Sequence, residues 1–364
     1  MKPTSANLMP REKIGETIES SKPFVSIVVP AYNEAAILEN NLARLCEYME
    51  SLEDEYRWEL IVVNDGSTDE TGELIEAFAK TRENIHVLHH VVNFRLGQAL
   101  RFAFNNCHGD YVVTMDLDLS YSPDHIERLL SKIRETKAKI VLASPYTKGG
   151  KISNVPWMRR ILSIWANRFL SLTAKGKFTS LTGMVRAYDR KFLNSLNLKA
   201  MDYEISPEII YKAQLLRGRI VEIPAHLDWS FQKAEGKKRS SSMRVIRGIM
   251  SCLFSGFIFR PFMFFIFTGL TLLLLSIYTI GLIVMYTFQH FQNLPASFGP
   301  LNYRLGAAVA AAFKTSPHSF IVGGVSLMVA IQLISLGIMA LQSKRYFEEL
   351  FHLATTIYKY NRED

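Results

Sequence analysis

Cysteine is scarce in this chain: three in 364 residues. Cys46, Cys107 and Cys252 have no metal-binding spacing and suit a reducing compartment. No internal repeat or low-complexity tract is present, so a repeat architecture is not expected. The opening stretch MKPTSANLMPREKIGETIESSKP has no apolar core, and no signal peptide is expected in it. Charge is missing from two long stretches, about 261–288 (PFMFFIFTGLTLLLLSIYTIGLIVMYTF) and 319–341 (SFIVGGVSLMVAIQLISLGIMAL). About 20 apolar residues cross a hydrocarbon core of about 30 Å. The alternative, core helices of a large soluble domain, usually keeps a polar stripe that these two lack. Between them, residues 289–318 hold only Arg304 and Lys314 as Lys or Arg. Lys233, Lys237, Lys238, Arg239, Arg244, Arg247 and Arg260 precede the first span, and Lys344, Arg345, Lys359 and Arg362 follow the second. The positive-inside rule then expects an integral membrane hairpin with both termini and the soluble part in the cytoplasm.

The formal net charge is +8. A basic chain can bind nucleic acid, but here the charge clusters beside a span, and no recognition helix or aromatic-basic platform is visible. Juxtamembrane Lys and Arg attract anionic lipid instead, at about 1 kcal/mol each. No nucleic-acid partner is expected.

Five parts follow along the chain: a polar lead-in over 1–23, an α/β domain over 24–232, a basic interfacial segment over 233–258, the two-helix hairpin over 259–343, and a cytoplasmic tail over 344–364. Within the second part, FVSIVVPAYNE, WELIVVNDGSTDE, IHVLHH, DYVVTMDLD and KIVLAS read as strands. Helical patterns at about 37–49, 70–82 and 97–106 separate the first four. Strands alternating with helices imply crossover units and a mostly parallel sheet. In such sheets ligands sit beyond the carboxyl ends of the strands. There stand Asn33 and Glu34 after the first strand, Asp65 after the second, and Asp116 and Asp118 after the fourth. Turn chemistry alone accounts for NDGSTD, but not for acids at strand end after strand end.

Asp116 and Asp118 are two apart, so on a strand they share one face. Two adjacent carboxylates repel, and one takes up a proton unless a cation is present. Few hard oxygen donors suit Mg²⁺ or Mn²⁺, with phosphate oxygens completing the shell. The motif is short, and a loop with solvated acids reads the same way.

VSIVVPAYNEA, IVVNDGSTDET and DLDLS, in that order and spacing, resemble glycosyltransferase family 2, inverting enzymes of GT-A fold. The succession of catalytic domain, basic segment and membrane hairpin is similar to the polyprenyl-phosphate glycosyltransferases, of the dolichol-phosphate mannose synthase and undecaprenyl-phosphate glucosyltransferase type. The resemblance implies a Rossmann-like, mostly parallel GT-A domain with a C-terminal helical hairpin. It implies that Pro30, Tyr32 and Glu34 line the nucleotide site, that Asp65 bonds the base, and that Asp116 lies near ribose and diphosphate. Asp118 becomes the principal metal ligand, with Asp116 beside it. Ser120 stands where relatives carry Gln and is a weaker candidate ligand. In NFRLGQALRFAF, Arg101 matches a diphosphate-facing position, and Arg95 replaces a usual small residue. In WMRRILSIWANRFLSL, Arg159, Ser163 and Asn167 match a phosphate-contacting helix; a helix with exposed arginines and an apolar back is the alternative. Ala143-Ser144-Pro145 replaces the usual G-S-R, with Lys148 as a substitute cation.

The implied reaction moves a sugar from a GDP- or UDP-linked donor to a polyprenyl phosphate. A hydroxyl acceptor would need a general base, and no T/E-E-D-like motif is found. QLLRG (214–218) lacks the Trp of the polysaccharide-building motif. The acceptor phosphate is expected at Arg239, Lys238 and Ser163. Past Met243, apolar residues at helical spacing beside Arg244 and Arg247 look interfacial. Positive-inside charge before a span would give the same basic run. A hydroxyl acceptor and a catalytically inactive scaffold stay open. Two spans are too few for a sugar-lipid channel, so a flipping role would need a homo-oligomer or another protein.

Overall fold

The computed structural model describes residues 22–173, 178–230, 261–295, 297 and 299–363. The first strand, β1 (Phe24–Ala31), is buried along most of its length. It leads through α1 (Ala35–Glu50) to β2 (Arg57–Asn64), α2 (Thr71–Ala79), β3 (Ile85–His89), α3 (Leu96–Asn105) and β4 (Tyr111–Thr114). Then come α4 (Asp124–Thr136), β5 (Ile140–Ser144), β6 (Lys151–Ser153), α5 (Trp157–Thr173), β7 (Arg186–Asp189), α6 (Arg190–Ser195), α7 (Ile205–Leu215), β8 (Ile220–Pro224) and β9 (His226–Asp228).

Seven strands form one sheet in the order β3-β2-β1-β4-β7-β5-β8, and β6 pairs with β9 in a second. β1 runs parallel to β2 and β4, β2 to β3, and β5 to β8. β7 is antiparallel to both neighbours. Both faces of the sheet are covered, which explains the unbroken apolar runs. Ile27, Val29, Leu60 and Val62 pack under α1, α2 and α4, while Val28, Ile61 and Val63 pack under α3 and α7. The chain leaves β1 toward β2 on one side and later sets β4 on the other. Strand order thus reverses between β1 and β4, and in such sheets ligands bind past the carboxyl ends of the strands at that point.

Two points differ from expectation. The fourth strand ends at Thr114, so strand alternation is not what pairs Asp116 with Asp118. A turn does so: Leu119 N–H donates to the Asp116 carbonyl at 3.2 Å, and Leu119 takes φ +46°. The second apolar run is also only part of its helix.

Three helices complete the chain: α8 (Pro261–Gln292), α9 (Leu301–Thr315) and α10 (Pro317–Glu363). α8 and α10 are long and apolar enough to cross a membrane. They pack antiparallel through small residues. A Cβ on Gly269 would meet Ile334, one on Gly337 would meet Ile266, and one on Gly323 would meet Thr279. Ser276 Oγ donates to the Gly323 carbonyl at 3.0 Å, a typical polar tie between apolar helices. α10 is 47 residues long and continues unbroken through what the sequence suggests as a separate tail. Its later turns reach α7: Tyr211 OH donates to Glu348 Oε1 at 3.5 Å, and Lys212 Nζ lies 5.7 Å from the Phe351 ring centre.

Candidate active site

The ends of β1 and β2 are stitched together. Asp65 N–H donates to the Ala31 carbonyl at 2.9 Å. Asn33 N–H donates to Ser67 Oγ at 3.0 Å, and Thr68 N–H returns to Asn33 Oδ1 at 2.8 Å. Glu34 N–H donates to Thr71 Oγ1 at 2.8 Å. Asn and Ser side chains satisfy turn amides that no strand can pair. Pro30, next to last in β1, stands opposite Val63, and Tyr32 just past the strand is 41% exposed.

Asp65 is buried beside this stitch. Its Oδ1 accepts twice, from His90 Nδ1 at 2.7 Å and from the Phe94 N–H at 3.0 Å. His90 is stacked on Phe102 and meets Phe94 edge-on, both with ring centres 5.1 Å away. Gly66, at φ +65°, lies so close under the next loop that a Cβ would come 2.2 Å from the Val92 carbonyl carbon; only glycine fits.

Asp116 and Asp118 lie two strand spacings, ~10 Å, across the sheet from Asp65. Both are part-exposed. Ser120 N–H donates to Asp118 Oδ1 at 3.0 Å, and the Ser120 carbonyl accepts from Asp228 N–H at 2.9 Å. The turn is thus anchored to β9. Asn41 Nδ2 holds the Leu117 carbonyl at 3.0 Å from α1. The Asp116 carboxyl is pushed up to about 8, by desolvation first and then by the charge of Asp118. Among the described residues no group of three His, Cys, Asp or Glu side chains gathers to hold a metal. Two crowded oxygen donors fit a hard cation that takes its other ligands from phosphate and water, as Mg²⁺ and Mn²⁺ do; a site for zinc would need more side chains.

On β7, opposite Thr114 at the end of β4, stands Arg186, 1% exposed. Its guanidinium donates to the Ser206 and Leu181 carbonyls at 2.8 Å each, and its Nε finds no partner. The Leu181 loop is held by Asn167 Oδ1, which accepts from Leu181 N–H at 2.7 Å and Thr182 N–H at 3.2 Å. Glu222 accepts the Thr179 and Ser180 amides at 2.8 and 2.9 Å.

The remaining expected residues either make contacts of their own or lie outside the described residues. Arg101, on α3, donates to Gln98 Oε1 at 3.0 Å and to the Lys199 carbonyl at 3.3 Å. Ser163, on α5, accepts from Tyr146 OH at 2.7 Å. Arg159 lies on the same helix, its side chain outside the described residues. Lys238, Arg239 and the whole 233–258 segment also lie outside the described residues. His90, Arg186 and Glu222 were not anticipated. Only the HH that ends the third strand hints at His90.

Residues 26–196 match the family described as Glycosyl transferase family 2. Among solved structures, the chain resembles glucosyl-3-phosphoglycerate synthase from Mycobacterium tuberculosis, in complex with Mn²⁺, UDP and glucosyl-3-phosphoglycerate. Identity is 22%, over 64% of this chain and 80% of that one, with a TM-score of 0.44. It also resembles a mannosyltransferase from Pyrobaculum calidifontis in complex with GDP-Man and Mn²⁺. There identity is 18%, over 93% of this chain and 87% of that one, with a TM-score of 0.42. The matched segment, residues 26–196, takes in β1 through β7 and with them the acid-bearing turn after β4.

Proposed function

We propose that the protein transfers a sugar, with inversion, from a nucleoside-diphosphate sugar to a polyprenyl phosphate at a membrane surface. The observation that supports this most is one mouth holding Asp65 and the Asp116–Asp118 pair, in a chain that also carries two span-length apolar helices. Pro30, Tyr32, Glu34 and Asp65 would receive the nucleotide. Asp118, with Asp116 and Ser120, would hold Mg²⁺ or Mn²⁺. Bound there, the metal would offset charge on the departing diphosphate, with Arg159 and Arg101 as further cations. Arg239, Lys238 and Ser163 would meet the acceptor phosphate. That phosphate is already an anion, so no general base is needed. The catalytic domain and both termini would face the cytoplasm, and the protein would act alone or as a homo-oligomer.

A second reading, a hydroxyl acceptor, needs a base. Asp228 is tied to the acid turn through Ser120, but Asn154 Nδ2 at 2.7 Å and Ser230 N–H at 3.0 Å, both donating to Oδ1, hold its carboxyl below the usual carboxylate range and make it a weak base. The lipid phosphate is therefore preferred. The test mixes purified protein with Mn²⁺, a polyprenyl phosphate and labelled nucleotide sugars. Metal-dependent, acid-labile label in the organic phase is expected. Donor hydrolysis or binding without lipid labelling would move the acceptor to a hydroxyl, and no donor binding would leave an inactive scaffold.

A further inference from the structure

Asp65 does not present a symmetric carboxylate. A carboxylate only accepts, so His90 Nδ1 must carry the proton in their 2.7 Å contact. With the Phe94 N–H at 3.0 Å, both acceptor sites of Oδ1 are filled. The stacking of His90 on Phe102 and its edge contact with Phe94 keep it from swinging away. Among the described residues Oδ2 meets no donor, so one oxygen is left for a ligand.

This asymmetry separates the two bases left open above. Guanine offers two donors side by side, its ring N1–H and its amino group, which pair best with two free carboxylate oxygens. Uracil offers one ring N–H flanked by carbonyls. The single free Oδ2 matches that one donor. The donors on Oδ1 also neutralise the side that would otherwise repel a uracil carbonyl. Resting on the nucleotide-sugar reading of this site, we infer that the donor base is uracil rather than guanine, and that His90 is the positioning residue that sets the choice by occupying Asp65 Oδ1.

The test is calorimetric titration of the full-length protein in detergent with Mn²⁺, using UDP and GDP as the probes. UDP is expected to bind about tenfold more tightly, the worth of one well-formed hydrogen bond to a charged group. His90→Ala frees one of the two acceptor sites of Oδ1, and the UDP:GDP ratio should then collapse toward unity. His90→Gln keeps an N–H donor and should retain the ratio. A merely structural role for His90 would weaken both nucleotides together and leave their ratio unchanged, overturning the positioning role. GDP binding as tightly as UDP in the unaltered protein overturns the uracil assignment while the nucleotide-sugar reading stands. If neither nucleotide binds, that reading falls, and the inference with it.

Discussion

His125 Nε2 accepts the backbone N–H of His226 at 3.1 Å, while its Nδ1 lies 2.9 Å from the Ser122 carbonyl. The two contacts demand a proton on Nδ1 and a lone pair on Nε2, so this imidazole joins α4 to β9 only when neutral. Burial lowers its pKa below the ordinary value of about 6.5; the Ser122 carbonyl and Asp124 oppose this, and Arg128 and His226 add to it. The unfolded chain then binds the proton more readily than the folded one. The stability this contributes is complete above about pH 6.5 and is lost as the pH falls below it. Melting curves between pH 7 and pH 5 should show a steeper loss for the unaltered protein than for His125→Gln. Equal slopes would sink the idea.

Asp118→Ala is expected to lower sugar transfer by about 10²–10³-fold, the scale of removing one preorganised electrostatic contact. Melting should be little changed, because the side chain is part-exposed. EDTA should mimic the substitution in the unaltered protein, and added Mn²⁺ should reverse EDTA but not the substitution. Wild-type turnover in the variant would remove Asp118 from the metal site.

Glu208 and Lys212 form an ion pair at 2.7 Å, each side chain 7% exposed. Glu208 also receives the Lys199 and Ala200 amides at 2.9 and 2.8 Å. Replacing either residue alone strands a buried charge, at a cost of about 3–5 kcal/mol. Lys212→Met combined with Glu208→Gln should cost clearly less than the sum of the two. Strict additivity in denaturant unfolding would show that the two charges do not couple.

Gly97 sits where α3 meets the 200–202 segment. A Cβ there would come 2.5 Å from the Met201 carbonyl carbon and 2.7 Å from both Ala200 O and Asp202 N, all of them backbone. Gly97→Ala should cost about 1–3 kcal/mol. Gly281, with nothing within 4 Å of its added Cβ, is the control and should tolerate Ala. Similar melting of Gly97→Ala and the parent would mean that the segment moves freely.

The strands that carry Asp65 and the acid pair were legible because β1, β2 and β4 are covered on both faces and leave unbroken apolar runs that end in polar turns. β7 was not. Its four residues, Arg-Ala-Tyr-Asp, carry a fully buried Arg and Tyr, and the pattern shows neither alternation nor an apolar run. The pairing of Asp116 with Asp118 was anticipated, but for the wrong reason, since a turn rather than a pleat makes it. His90 was out of reach because its meaning comes from β3 lying beside β2, a pairing across 25 residues of sequence. Polar α10 turns beyond the apolar run read as a tail because amphipathic spacing does not reveal that α7 waits beside them.

That helix has a mechanical consequence. At 1.5 Å per residue, α10 is a rod of ~70 Å. One stretch packs on α8, and a later stretch grips Tyr211 and Lys212 of the catalytic domain. The height of the domain above the apolar hairpin is then a matter of residue count, and its heading a matter of helical phase. Each residue inserted between the two grips would lift the domain by about 1.5 Å and turn it by about 100°. Length and azimuth are locked to each other in a single screw.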